Sequence, residues 1–263
     1  MFTMKTQGGV SVVKSGLLDG AGGAAHGFST RAGGVSRGVW SGLNLSPSRG
    51  DDPAAVAENY RRFCAVAGID APAARVRQVH GKTIHVVTGE NRTDAPVEAD
   101  GLVTAERGIA LAVLIADCIP VLLYDPRRRV VAAVHSGWRG TAQAICAEAV
   151  ETMRCDFGCA AEDILAAVGP GISACCFETR ADVPDAMRAA FGARVDDCIV
   201  QTGEERYRVD LKGIVRHTLL DEGLTEAHID VCADCTACPG ERYWSHRRLG
   251  EARGSMAAVI ALL

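Results

Sequence analysis

Residues 109–124 read IALAVLIADCIPVLLY, residues 125–129 read DPRRR, and residues 130–135 read VVAAVH. The first segment is almost wholly apolar and rich in branched side chains, so it reads as buried strand. It falls short of the about 20 apolar residues that span a bilayer, and Asp117 and Pro120 interrupt it. Asp125-Pro126 followed by three arginines is a solvated turn, and Val130–His135 is a second apolar strand. Together they predict a β-hairpin. A glycine-bounded segment, Gly137 to Gly140, follows at once, and Thr141 is suited to cap a helix running to about Met153.

Working outward, Pro53 to Ile69 predicts a helix. Asp51 or Asp52 can cap it, Pro53 suits its first turn, and Val56, Tyr60, Phe63 and Val66 share one side. Val76 to Val87 is expected as a strand carrying His80. Downstream, strands are expected at 164–168, 206–211 and 229–232, helices at 182–191 and 211–222, and a last apolar segment at 255–262. Hairpins mixed with helices indicate an α+β fold with mixed sheets, not a regular doubly wound sheet. No repeat, linker or low-complexity stretch divides the chain, so residues 1–263 are expected to form one domain.

Composition narrows the class. The chain has 263 residues, 48% hydrophobic and 23% charged, which is ordinary for a globular protein. A formal net charge of −4 and the lack of any long basic run argue against a nucleic-acid partner. No basic start with an apolar core precedes Gly20, so neither a secretory signal nor a membrane anchor is expected, and the cytoplasm is the expected location. Eleven cysteines without a disulfide-like spacing point to a reducing compartment and free thiols, some of them ligands.

Three segments place a metal-ligand residue at a strand end beside glycine or proline: Gln78-Val79-His80-Gly81, Ala116-Asp117-Cys118-Ile119-Pro120, and Val134-His135-Ser136-Gly137-Trp138-Arg139-Gly140. Cys118 and His135 lie on the two arms of the expected hairpin. Two imidazoles and one thiolate suit zinc, through Nε2 or Nδ1 of each histidine, and three protein ligands leave one position open. The simpler alternative is a buried small cysteine with hydrogen-bonded loop histidines.

Other features have two readings. Cys232, Cys235 and Cys238 form a C-x2-C-x2-C run with no evident fourth ligand, unless His246 or Cys198 folds in, and free thiols around a turn are the simpler reading. Cys175 and Cys176 are adjacent, so they would not face one site from a strand. His85 would face away from His80 on a continuous strand, and His217 and His228 look like surface residues. The loop Ser29 to Ser36 can bind an anion through backbone N–H groups and the Arg31 fork, or simply make a glycine turn. Trp138-Arg139 suits a base or phosphate, and equally a cation–π pair.

At these residues the chain resembles the laccase-domain family, also called multicopper polyphenol oxidase or peptidoglycan editing factor. The matching stretches are His26-Gly27-Phe28-Ser29-Thr30-Arg31-Ala32-Gly33-Gly34, Gln78-Val79-His80-Gly81, Ala99-Asp100-Gly101, Ala116-Asp117-Cys118-Ile119-Pro120, Ala133-Val134-His135-Ser136-Gly137-Trp138-Arg139-Gly140, Gly169-Pro170-Gly171 with Cys175-Cys176, and Ser245-His246-Arg247-Arg248. The resemblance implies a single-domain sandwich of mixed β-sheets flanked by helices. It implies zinc (or copper) at His80, Cys118 and His135. It further implies purine nucleoside chemistry with phosphate: phosphorolysis of adenosine, inosine, guanosine and methylthioadenosine, and deamination of adenosine. His80, Cys118 and His135 are then the catalytic residues, Ser29, Arg31 and Arg139 the expected substrate contacts, and Asp117 or Glu178 an acid or base. The older name implies copper-dependent phenol oxidation, but seven histidines, three of them outside any matching stretch, cannot supply a multicopper cluster. A cysteine hydrolase with Cys118 as nucleophile and His135 as base is the rival from another class, and a role in cell-wall editing is a third. The chain departs from the family where a Gly-Arg pair is usual: it has Gly254-Ser255.

Overall fold

The computed structural model describes residues 1–92 and 97–263. Its first sheet contains β1 (Phe2–Gln7), β2 (Val10–Ser15), β3 (Ala24–Ser29), β4 (Ala73–Ala74), β7 (Ala110–Ile115) and β15 (Met256–Leu262), in the order β1-β2-β3-β15-β7-β4. The second contains β5 (Ile84–Val86), β6 (Gly101–Thr104), β8 (Ile119–Asp125), β9 (Val130–Ser136), β10 (Leu165–Val168) and β14 (Ile229–Val231), in the order β14-β10-β8-β9-β6-β5. Both sheets are mixed: β4 with β7, β5 with β6 and β10 with β14 pair parallel, the others antiparallel. A small third sheet joins β11 (Glu178–Thr179), β12 (Ile199–Gly203) and β13 (Arg206–Val209).

The alternation of side chains along each strand builds the layers. In β8, Leu122 and Tyr124 face the first sheet, while Ile119, Val121 and Leu123 face the opposite way, toward helices. In β7, Leu111 and Val113 meet the second sheet, and Ala110 and Ala112 turn toward α2 (Pro53–Ala67). The far face of the second sheet is covered by α4 (Ile145–Phe157), α5 (Asp182–Phe191) and α6 (Leu211–Asp221). The result is an α+β sandwich, helix–sheet–sheet–helix, with the sheet interface filled by side chains that each contribute roughly 1.5–3 kcal/mol of burial. The α2 helix begins as expected, with Pro53 in its first turn and the Asp52 carboxylate accepting from Ala54 N at 3.0 Å.

Three expectations need correction. The 109–124 run is two strands in two different sheets, because the chain turns at Asp117, whose φ is +88°. The hairpin itself is real: β8 and β9 pair from Ile119↔Ser136 to Asp125↔Val130, and Asp125 Oδ1 accepts from the N–H groups of Arg127 and Arg128 in the turn. The expected strand 76–87 exists only at Ile84–Val86, since the preceding N–H groups bond a carboxylate instead of a neighbouring strand. The expected Thr141 cap lies inside a short helix, α3 (Trp138–Ala142). Ala144, at φ +56°, separates it from α4.

Candidate metal centre

Splitting the apolar run is what assembles the site. Cys118 sits in the crossing between β7 and β8, directly after Asp117, and His135 lies near the end of β9 on the neighbouring strand. His80 arrives from the segment before β5, held at φ +61°, a conformation that costs a non-glycine residue free energy and persists only where the surroundings enforce it. His80 Nε2 lies 3.9 Å from Cys118 Sγ, and the two imidazoles meet edge to face with centroids 4.9 Å apart. One ligand atom from each of His80, Cys118 and His135 falls within 4.8 Å of the others. A nitrogen and a sulfur on one tetrahedral zinc are about 3.6 Å apart, so the three residues fit such an ion with small adjustments.

Asp100 organises this cluster. Its buried carboxylate accepts from the backbone N–H groups of Val79 (3.0 Å), His80 (3.0 Å) and Gly81 (2.7 Å) and from His135 Nδ1 (2.8 Å). With Nδ1–H donated to Asp100, His135 presents Nε2 to the cluster. Gln78 fixes the same segment from the other side: its amide donates to Leu114 O at 2.8 Å and accepts from Leu114 N at 2.7 Å, replacing a strand on the edge of β7. Burial alone would raise the Asp100 carboxyl, but His135 and the Gly81 and Val79 N–H groups outweigh it and hold it below the usual range. The same competition acts on the ligands. Desolvation opposes charge on Cys118, yet His135 and His80 bring the thiol down to about 6. Desolvation opposes charge on His135, and Cys118 and Asp100 raise it to about 9. A thiolate at neutral pH is the ligand-competent form.

Asp117, considered above as an acid or base, is bound into the framework. It accepts from Thr236 Oγ1 (2.7 Å), Ser245 Oγ (3.0 Å) and Arg247 N (2.6 Å). Ser29 is buried, its hydroxyl accepting from Ala257 N at 2.9 Å. Arg31 is half-buried, stacks 4.0 Å over the Trp244 ring and donates to Ser41 O at 3.0 Å. Ser29 therefore ties the end of β3 to β15, and Arg31 ties the loop that follows to two neighbouring loops. Arg139 is exposed and lies 4.4 Å from the Trp138 ring. Trp138, Phe177, Glu178, Arg180 and Arg247 line a surface depression of about 500 Å³, while a larger cavity of about 850 Å³ against α2 contains none of the three ligands. Sequence reasoning passed over Arg253, which precedes Gly254-Ser255 where the family pattern leads one to expect an arginine after the glycine. It is buried, and burial and Arg49 work against its charge while Asp117, Glu251 and Cys118 favour it.

The simpler reading of the sequence, free thiols around a turn, misses a second constellation. Cys175, Cys176, Cys235 and Cys238 converge, with all four sulfurs within 4.8 Å of one another. Cys175 and Cys176 do so from a turn, where adjacent side chains are not forced to opposite faces as on a strand. Cys232 stays apart in the core between the sheets. His85 is likewise outside both clusters, but on a short strand separate from His80, not on a continuous one.

A four-layer α+β sandwich with a His-Cys-His cluster where the chain crosses between its sheets defines a class of candidate mononuclear metalloproteins. Within that class the chain belongs to the family described as multi-copper polyphenol oxidoreductase laccase, whose sequence pattern matches residues 25–263. It is 42% identical over 240 residues to a purine nucleoside phosphorylase of Deinococcus radiodurans, spanning 90% of this chain and 88% of that protein. It is 34% identical over 245 residues to purine nucleoside phosphorylase LACC1 of Mus musculus, of whose length the match covers 55%. The crystal structure of YlmD from Geobacillus stearothermophilus superimposes with a TM-score of 0.91 at 32% identity, over 99% of this chain and 98% of that one.

Proposed function

We propose that this chain is a zinc-dependent purine nucleoside enzyme that phosphorolyses adenosine, inosine, guanosine and methylthioadenosine and deaminates adenosine. The shared name of its relatives supports a nucleoside-processing enzyme. The observation that carries the finer reading is the convergence of His80, Cys118 and His135, with His135 Nδ1 already committed to Asp100 so that Nε2 is free for an ion. Zinc held there would supply Lewis acidity and a water acidified from 15.7 to about 7.

The remaining work falls to side chains. Trp138 and Phe177 offer aromatic faces to a purine in the depression beside α3. Arg139 and Arg247, with buried Arg253 behind Cys118, offer guanidinium groups to phosphate. Ser29 and Arg31 act in this reading by holding the β3 loop, and Asp117 by fixing the crossing that presents Cys118. Copper-dependent phenol oxidation is less well supported. Among the described residues, His80 and His135 share one cluster and His217 is in another with no second histidine, whereas a multicopper centre requires many.

A second reading, Cys118 as a nucleophile with His135 as its base, draws on their mutual charge stabilisation. Purified protein incubated with adenosine, with and without phosphate, tests the proposal. Adenine should form only when phosphate is present and inosine in both cases, and chelation should stop both. Formation of neither product rejects nucleoside chemistry, and full activity after chelation favours the nucleophile.

A further inference from the structure

Cys175, Cys176, Cys235 and Cys238 lie outside the His80–Cys118–His135 cluster. Cys175 Sγ is 3.6 Å from Cys238 Sγ, Cys176 Sγ is 3.7 Å from Cys238 Sγ, and the two adjacent sulfurs are 3.8 Å apart. Four thiolates at about 2.3 Å from a tetrahedral zinc have sulfur–sulfur edges of about 3.8 Å. These three edges match one face of that tetrahedron and far exceed the about 2.05 Å of a disulfide, and the Cys235 sulfur lies within 4.8 Å of the other three. We propose that these four cysteines form a second metal site, a zinc tetrathiolate that staples two loops.

The surroundings suit the charge of such a site. Ser173 N–H donates to Cys235 Sγ at 3.3 Å, an outer hydrogen bond of the kind that orients a ligand. A zinc with four thiolates carries a net charge of about −2, and two guanidinium groups stand against its ligands: Arg247 donates to Cys176 O at 3.0 Å and Arg248 to Cys238 O at 3.0 Å. Four protein ligands close the coordination shell, which marks a structural site. What it would hold is the support of Asp117. The two loops already touch where Thr236 N donates to Gly171 O at 3.1 Å, and Ile172 N donates to Asp117 O at 2.7 Å. From the Cys235–Cys238 loop, its continuation and the following helix come Thr236, Ser245 and Arg247, the three donors to the Asp117 carboxylate. The staple would therefore brace the crossing that carries Cys118.

The test is a metal count on the full chain purified under reducing conditions without added metal. Wild type should contain two zinc per chain. Cys118→Ala should retain one, and Cys175→Ser with Cys238→Ser should also retain one. X-ray absorption at the zinc edge of the Cys118→Ala protein should show sulfur neighbours only, with no imidazole scattering. Should the double variant fail to fold, Cys238→Ser added to Cys118→Ala alters an exposed side chain and should give a shell of three sulfurs and one lighter atom. One zinc per wild-type chain, unchanged by the cysteine-to-serine substitutions, overturns the proposal. So does an intact-mass measurement showing these thiols paired as disulfides in the reduced preparation. The count is independent of any nucleoside assay, so its failure and the failure of the proposed activity are separate results.

Discussion

The Asp100 carboxylate lies 2.8 Å from His135 Nδ1 and at the same time receives the N–H groups of Val79, His80 and Gly81. One side chain thus fixes the tautomer of one candidate ligand and the backbone of another. Asp100→Asn should lower metal affinity by roughly 10- to 100-fold, the usual effect of losing an outer partner, because an amide cannot satisfy four donors. Competition against a chromogenic chelator reads this directly, and an unchanged affinity would remove Asp100 from the site.

Gly137 faces the cluster without a side chain. A Cβ there would stand 2.8 Å from His80 Cδ2 and 3.0 Å from Cys118 Sγ, while its φ of −71° suits any residue. Gly137→Ala should therefore leave the backbone unstrained but push the ligands apart. The expected result is loss of most of the bound metal with the fold intact by circular dichroism. Full metal occupancy would show that the imidazole can swing away.

Asp117 provides a distinction between framework and chemistry. Asp117→Ala leaves Thr236 Oγ1, Ser245 Oγ and Arg247 N without their acceptor. A loss on the order of 3 kcal/mol in stability is expected, given about 1.5–3 kcal/mol per hydrogen bond to a charged group and partial replacement by water. Denaturant unfolding measures it. If stability holds and only a limb of the pH–rate profile disappears, Asp117 is an acid or base after all.

Arg31 stacks on Trp244 and bonds Ser41 O. Arg31→Ala should lower the proposed phosphorolysis and deamination by the same factor and lower the melting temperature with them. Selective loss of phosphorolysis at low phosphate, with unchanged melting, would instead make Arg31 a phosphate contact.

His26 sets a pH dependence of stability. It is fully buried; Nε2 accepts from Ser15 N at 2.9 Å, so the neutral ring carries its proton on Nδ1. Burial first, then Lys14, brings its pKa to about 4 from 6.5. A depressed histidine stays neutral in the folded state while the unfolded chain takes up a proton. Stability is therefore complete above pH 6.5 and falls as pH is lowered toward 4, by up to roughly 3 kcal/mol. Urea midpoints across that window should follow this slope, and His26→Gln should flatten it. Parallel curves would assign the slope to other groups.

The sequence by itself determined the α+β class, the 130–135 hairpin arm, four of the longer helices in outline and the three candidate ligands. These depend on periodicity, caps and residue type, which are local. It also gave the resemblance to the family, carried by short motifs spread along the chain. The tertiary structure alone decided that residues 110–115 and 119–125 belong to different sheets, since an apolar run looks the same whether it stays in one sheet or crosses at Asp117. It alone showed Val79 to Gly81 wrapped on Asp100, because a strand and a loop around a buried carboxylate can share β-branched residues. And it alone joined Cys175-Cys176 to Cys235 and Cys238, which stand some sixty positions apart, so that no spacing rule in the sequence links sulfurs that lie within 4.8 Å of one another in space.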